Sequence, residues 1–342
     1  MRGGVDERLP ASTRPHRHRQ TGDLGRDWRF WLLLLAFLAI LAALFAPRFA
    51  RTGHVRDLLL VIDVTGSMNV RDATLAGAPV TRLAAAKRSA QDLIAGQPCG
   101  SRLGLGIFTE RRSFLLFEPA ELCENFAAIA GSIDDLDWRM AWEGDSYVAQ
   151  GVHDALAMAG SLKADLIFMT DGHEAPPLAN GELPPFSGKP GEVAGLLVGI
   201  GGADPSPIPK FDQDGREIGF YAEADVPQEN RIGPPPEDAA SRAGWNPRNA
   251  PWGGEAATGT EHLSSMREAH LRALAAQTGV GFLDLGSGGG LLASVESNTR
   301  TRPMTIRVET AAIPAALALF CLGLLFGLGV VTSRRPERLP TL

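Results

Sequence analysis

The chain has 342 residues and carries 33 Lys and Arg against 39 Asp and Glu, a formal net charge of −6 with a pI of about 5.7. That acidic balance argues against a nucleic-acid partner. The length would accommodate two domains, but composition divides the chain as a basic tail, an apolar segment, a polar domain, a second apolar segment and a short basic tail.

Residues 1–29 hold seven arginines with Pro, Gly and His and no apolar periodicity, and read as a disordered tail. Residues 30–46, FWLLLLAFLAILAALFA, are uncharged and about long enough to cross a bilayer with little tilt. The long leading tail, and Pro47 directly after Ala46, favour an uncleaved anchor over a signal peptide. The closing apolar segment, residues 310–333, also lacks charge and precedes Arg334, Arg335 and Arg338 in the tail 334–342. Two spans put both termini on one side of a membrane. The seven arginines of the first tail outnumber Arg48, Arg51 and Arg56, so the tails are expected in the cytoplasm and the domain outside, in the periplasm of a bacterial inner membrane.

Between the spans, residues 57–298 alternate strands and helices. The apolar run Leu58 to Ile62 reads as a parallel strand covered on both faces. A helix is expected over 81–95, closed by Gly96, then strands over 101–109 and 113–117 around the charged turn Glu110-Arg111-Arg112. Helices follow over 121–133 and 147–161, strands over 166–170 and 192–200, a helix over 261–277 and a strand over 281–285. This order gives an α/β, doubly wound, mostly parallel sheet of Rossmann-like type, with the 101–117 pair as an antiparallel hairpin at one edge. Residues 203–260 form an irregular insertion. Within it, FDQDGREI (211–218) reads as a hairpin with an Asp-Gly turn; it begins like a calcium loop but lacks the further ligands at that spacing.

Chemistry concentrates where the first core strand ends. Asp63, Thr65 and Ser67 alternate in a Gly-assisted turn at a strand's C-terminal end, where open α/β sheets place ligands. Oxygen donors of this kind suit a hard cation, Mg²⁺ or Ca²⁺. Alone, the turn could equally cap a helix. The stretch resembles the DxSxS loop of von Willebrand factor A (VWA) domains, whose metal ion-dependent adhesion site (MIDAS) also needs a distal hydroxyl and a distal Asp. The resemblance implies that Asp171, in Thr170-Asp171-Gly172, is the second carboxylate, and that Ser146, in Gly144-Asp145-Ser146, stands where the family usually has Thr. A MIDAS ion keeps an open position that an acidic side chain of a protein partner completes.

Trp138 and Trp142 bracket the loop that enters Ser146 and could form a partner-binding rim or pack the loop onto the domain. His173 and Glu174 follow Asp171 directly and could reach the metal or a partner, against the default of a surface loop. Cys321 falls in the second span, which leaves Cys99 and Cys123 as a candidate disulfide or as two separate buried thiols. Neither a phosphate-binding GxxxxGK[ST] loop nor a GxSxG nucleophile elbow is present, so a binding module is expected rather than an enzyme, with no catalytic residues assigned.

The architecture resembles two bacterial groups, the aerotolerance (Bat-type) VWA proteins and the MxaL-type accessory proteins of methanol dehydrogenase. DVTGSMNVRD (63–72) and MTDGHEAPPL (169–178) look closer to the second. That resemblance implies a role in Ca²⁺ insertion into a periplasmic quinoprotein methanol dehydrogenase, alongside a MoxR-type ATPase. A structural membrane scaffold with a vestigial metal site is the third expectation.

Overall fold

The computed structural model describes residues 27–46, 48–75, 77–141, 144–178, 181–225 and 260–333, with the backbone alone at 48–51, 306–309 and 328–333. In chain order the elements are α1 (Trp28–Leu44), β1 (Arg48–Val55), β2 (Asp57–Asp63), β3 (Ala73–Leu75), β4 (Ala78–Val80), α2 (Arg82–Gly96), β5 (Arg102–Thr109), β6 (Arg112–Glu121), α3 (Leu122–Asp134), α4 (Val148–Leu162) and β7 (Asp165–Thr170). They continue with β8 (Gly195–Gly199), β9 (Ser206–Pro207), β10 (Pro209–Phe211), β11 (Glu217–Phe220), β12 (Leu263–Ser264), α5 (Glu268–Thr278), β13 (Gly281–Asp284), α6 (Leu291–Asn298), β14 (Arg302–Glu309) and α7 (Ala312–Ser333).

Six strands form one sheet in the order β13-β8-β7-β2-β5-β6, parallel except for β6, which returns antiparallel on β5 at the edge. The alternation of side chains along β2 explains the layers. Leu58, Leu60 and Ile62 enter one core with α2, α3 and α6, while Leu59 and Val61 enter the other with α4 and α5. Both faces are covered, which is why the run is apolar without alternation. The sheet therefore brings the C-terminal ends of β2, β5 and β7 side by side.

Tight approaches hold the helices to this edge. A Cβ on Gly151 of α4 would lie 2.2 Å from the Phe108 ring, so only glycine lets α4 close on β5. Thr81 caps α2, its side chain accepting from the Ala84 N–H at 3.1 Å.

Several elements depart from expectation. The helix anticipated over 261–277 starts only at Glu268, because Leu263 and Ser264 pair instead with Pro207 and Ser206 as β12 and β9. Ser264 and Ser265 are buried there, and tertiary contacts override the helical spacing. The strands β1 and β14, which pair with each other, were not anticipated. The insertion's hairpin does form, as β10 and β11 with Gly215 in the left-handed region at φ 79°.

The chain divides into two compact units, residues 52–306 and the residues outside them. In the second unit the two apolar segments form α1 and α7, which pack on each other; Ala36, Ala39, Ala318 and Cys321 are their buried residues. Among the described residues, no helix is long and apolar enough to cross a membrane; α1 has 17 residues.

Cys99 and Cys123 are joined in a disulfide with Cα atoms 5.3 Å apart, tying the end of α2 to the start of α3. The bridge closes a sequence separation of 24 residues. Replacing both cysteines by Ser should therefore lower stability by about 3 kcal/mol, read as a drop in the denaturant midpoint, with a slope that stays the same or rises because the unfolded chain is no longer cross-linked.

Candidate metal centre

The site is built from loops that leave the sheet at one edge. After β2 the chain turns through a short 3₁₀ segment, Gly66–Asn69, which keeps Thr65 and Ser67 on the same side as Asp63. Asp63 is fully buried, and its Oδ1 accepts from the Thr65 N–H at 2.8 Å and the Thr65 hydroxyl at 2.7 Å. Thr65 Oγ1 and Ser67 Oγ lie 3.3 Å apart. On the neighbouring strand, Thr170 donates to Asp63 Oδ2 at 2.6 Å and accepts from the Gly172 N–H at 2.9 Å. Thr170, the first residue of the Thr-Asp-Gly motif, thereby locks β7 to the first carboxylate.

Asp171, equally buried, accepts the His173 N–H on Oδ1 at 2.9 Å, and Arg82 and Ser264 Oγ on Oδ2 at 2.5 and 3.1 Å. The two carboxylates are met by different chemistry, and their acidities diverge accordingly. Burial, followed by the charge of Asp171, pushes the Asp63 carboxyl up from 3.8 to about 7 against the lowering hydrogen bonds from Thr170 and Thr65. Burial works the same way on Asp171, but the Arg82 guanidinium, His173, its N–H and Ser67 together hold that carboxyl below its ordinary value.

Ser146 lies in the loop before α4. Its N–H donates to the Ala175 carbonyl at 2.6 Å and its own carbonyl accepts from Ala175 N at 2.8 Å, while Tyr147 N donates to Glu110 O at 2.7 Å. Ser146 is thus pinned between the end of the β5 side and the loop after Asp171, with its Oγ buried and without a hydrogen-bond partner. Thr109 Oγ1, at the last position of β5, is buried and unpartnered in the same way. Buried hydroxyls without partners are costly, and a cation that takes their lone pairs would relieve that cost.

The donors suit a hard dication: two carboxylates and the hydroxyls of Thr65, Ser67 and Ser146. Among the described residues, no group of three or more His, Cys, Asp or Glu side chains is placed to hold a metal, so any ion here depends on the hydroxyls.

The residues expected on a rim are engaged otherwise. His173 is buried and its Nε2 meets Glu261 Oε2 at 3.1 Å. Glu174 is buried as well; it accepts from the Val148 and Ala149 N–H groups at 3.0 and 2.8 Å and so caps α4 from outside the helix, with His270 at 3.1 Å. Both side chains are thus bonded within the domain, to α4, α5 and the segment before β12. Trp138 stacks on Phe211 of the insertion's hairpin, ring centroids 4.5 Å apart, which packs the hairpin onto the domain. Trp142 lies outside the described residues.

Sequence reading missed Arg82, Asp72 and Ser264. Arg82 is fully buried in the first turn of α2 and bridges Asp72, Asp171 and Ser264. Nothing in its local sequence marks it, since its partners stand 10, 89 and 182 positions away.

The acidities carry a pH dependence. In chelator, folded Asp63 keeps its proton up to about pH 7 while the unfolded carboxyl releases it near 3.8, so stability falls as pH rises through that window. Asp171 acts oppositely, its contribution being lost only as pH falls below 3.8. The metal-free protein should melt lower at pH 7.5 than at pH 5, and Asp63→Asn should abolish that difference in a thermal scan.

Among solved structures the chain is similar to an aerotolerance-related membrane protein from Bacteroides fragilis NCTC 9343, at 12% identity over 71% of this chain and 98% of that one, with a TM-score of 0.43. It is also similar to an uncharacterized membrane spanning protein from Vibrio fischeri (19% identity, 67% and 90% covered, TM-score 0.27) and to the PilB minor pilin from Streptococcus sanguinis (12%, 83% and 64%, TM-score 0.31). No curated protein matches it. Residues 58–173, the stretch that contains Asp63, Thr65, Ser67, Ser146 and Asp171, match the family model of the von Willebrand factor type A domain, and this stretch carries that domain.

Proposed function

We propose that the chain is a membrane-anchored module that grips a protein partner through a divalent cation, Mg²⁺ or Ca²⁺, held by Asp63, Thr65, Ser67, Ser146 and Asp171. The observation that carries this reading is the orphaned, buried Oγ of Ser146, pinned by its backbone to the loop that follows Asp171. A binding module rather than an enzyme is the reading that an oxygen-lined ion with an open coordination position favours, because an acidic side chain of the partner would complete it.

The anchoring part rests on α1 and α7. Their buried contact residues are small, whereas large apolar side chains point outward: Phe37 is 58% exposed, Leu319 73% and Phe326 77%. A soluble helix pair would hide these; an apolar exterior over a small-residue seam suits lipid. The positive-inside pattern supports cytoplasmic tails and a periplasmic domain at a bacterial inner membrane.

For the partner we propose a periplasmic quinoprotein methanol dehydrogenase during Ca²⁺ insertion, on the MxaL-type resemblance of residues 63–72 and 169–178, with a MoxR-type ATPase as a cytoplasmic associate.

The test is capture of partners by the tagged full chain, wild type against Asp63→Ala, in Mg²⁺, in Ca²⁺ and in chelator. Metal-dependent capture of the dehydrogenase, reduced at least about tenfold by Asp63→Ala, is expected. Metal-dependent capture of other proteins would keep the grip but replace the client, with a Bat-type role next in line. Identical capture in every condition would overturn the metal-dependent grip and leave a structural scaffold.

A further inference from the structure

We infer that Arg82 is an internal competitor of the metal: its guanidinium shares Asp171 with any bound ion, and so sets the ion's affinity. This rests on the metal-dependent reading above and deepens it. No part of the Arg82 side chain reaches solvent. Nε and Nη2 form a two-pronged pair with Asp72 Oδ1 and Oδ2 at 2.8 and 2.6 Å, while Nη1 donates to Asp171 Oδ2 at 2.5 Å and to Ser264 Oγ at 2.6 Å. Nη2 also reaches the Ser264 carbonyl at 3.0 Å, and Nη1 the Ser67 carbonyl at 3.4 Å. Ser67 is itself one of the candidate ligands, so the guanidinium touches the metal loop from behind as well as the distal carboxylate.

The lone-pair count on Asp171 makes the competition specific. Oδ2 already accepts two donors, Arg82 and Ser264, and Oδ1 accepts the His173 N–H. A dication approaching Asp171 meets a carboxylate whose charge is largely spent on an immovable cation. Asp63 differs: all its donors are neutral, and the Thr65 and Thr170 hydroxyls can rotate their protons away when an ion arrives. Asp63 is therefore the primary anionic ligand, and Asp171 a weakened one whose strength Arg82 adjusts. Asp72, 14% exposed, adjusts Arg82 in turn by drawing on the other side of the fork. Ser264 belongs to β12, which pairs with β9 at the opposite end of the insertion, so the same guanidinium also latches the insertion's closing segment to the metal site.

The experiment is calorimetric titration of the full chain with Mg²⁺ and with Ca²⁺, together with thermal melting in chelator and in saturating metal. In Arg82→Met the competing charge is gone, and the ion should bind roughly tenfold or more tightly than in wild type. The metal-free variant should melt lower, since Asp72 and Asp171 lose their shared partner, and metal should restore more of its stability than it adds to wild type. Arg82→Lys keeps the charge and should stay nearer to wild-type affinity than Arg82→Met does. Asp72→Asn leaves Arg82 in place but turns its charge wholly toward Asp171, and should weaken binding several-fold; it decides the matter if Arg82→Met does not fold. Unchanged affinity in Asp72→Asn, or affinity in a folded Arg82→Met no higher than wild type, would overturn the inference while the metal reading stands. A wild-type chain that binds neither ion would overturn the metal reading itself.

Discussion

Two carboxylates, Asp63 and Asp171, are sunk without solvent contact at the ends of adjacent parallel strands, and the surroundings are arranged to make that tolerable. Burying two like charges side by side costs several kcal/mol per ion unless each is compensated. The two are compensated differently. Asp63 receives hydroxyl and backbone donors and stays protonated up to about pH 7, whereas Asp171 receives a guanidinium and ionises readily. The site therefore sets a carboxylate met only by neutral donors beside one met by a guanidinium.

The loop after Asp171 shows how much structure this arrangement recruits. Gly172 adopts φ 75°, and a Cβ there would lie 2.8 Å from Leu271. His173 gives its N–H to Asp171 and its ring to Glu261; Glu174 caps α4; Ala175 pairs with Ser146. Each successive residue ties the second carboxylate to another element, α5, the segment before β12, α4 and the Ser146 loop. Side chains next to the motif in sequence are thus engaged in holding the loop that carries it.

The sheet and most of its helices were legible because their signals are local. An apolar run that stops at Asp63, and a second that stops at Thr170-Asp171, mark buried parallel strands whose ends meet, and periodicity marks α2 and α4 to within a residue or two. What stayed hidden depends on distant partners. Ser264 lies in a helix-compatible stretch, yet its contacts with Arg82 and Asp171 and its pairing in β12 accompany a helix that starts only at Glu268. The β1 sequence RFARTGHV has weak alternation, and its pairing strand β14 begins more than two hundred residues later. Arg82 reads as an ordinary residue of a helix's first turn, and only the fold discloses that it faces inward.

Ser146 raises a finer question, since a serine lacks the methyl that restrains a threonine's χ1. Here the restraint comes from the backbone and from packing. Two reciprocal hydrogen bonds to Ala175 fix the position and direction of the Ser146 Cα–Cβ bond, and burial removes the solvent that would stabilise alternative rotamers. An Oγ with no competing partner in any direction has no enthalpic reason to turn away from an incoming cation. Serine is compatible with a well-directed oxygen here because its backbone is tied to Ala175 and the helix that follows is capped by Glu174, both residues of the loop that leaves the distal carboxylate.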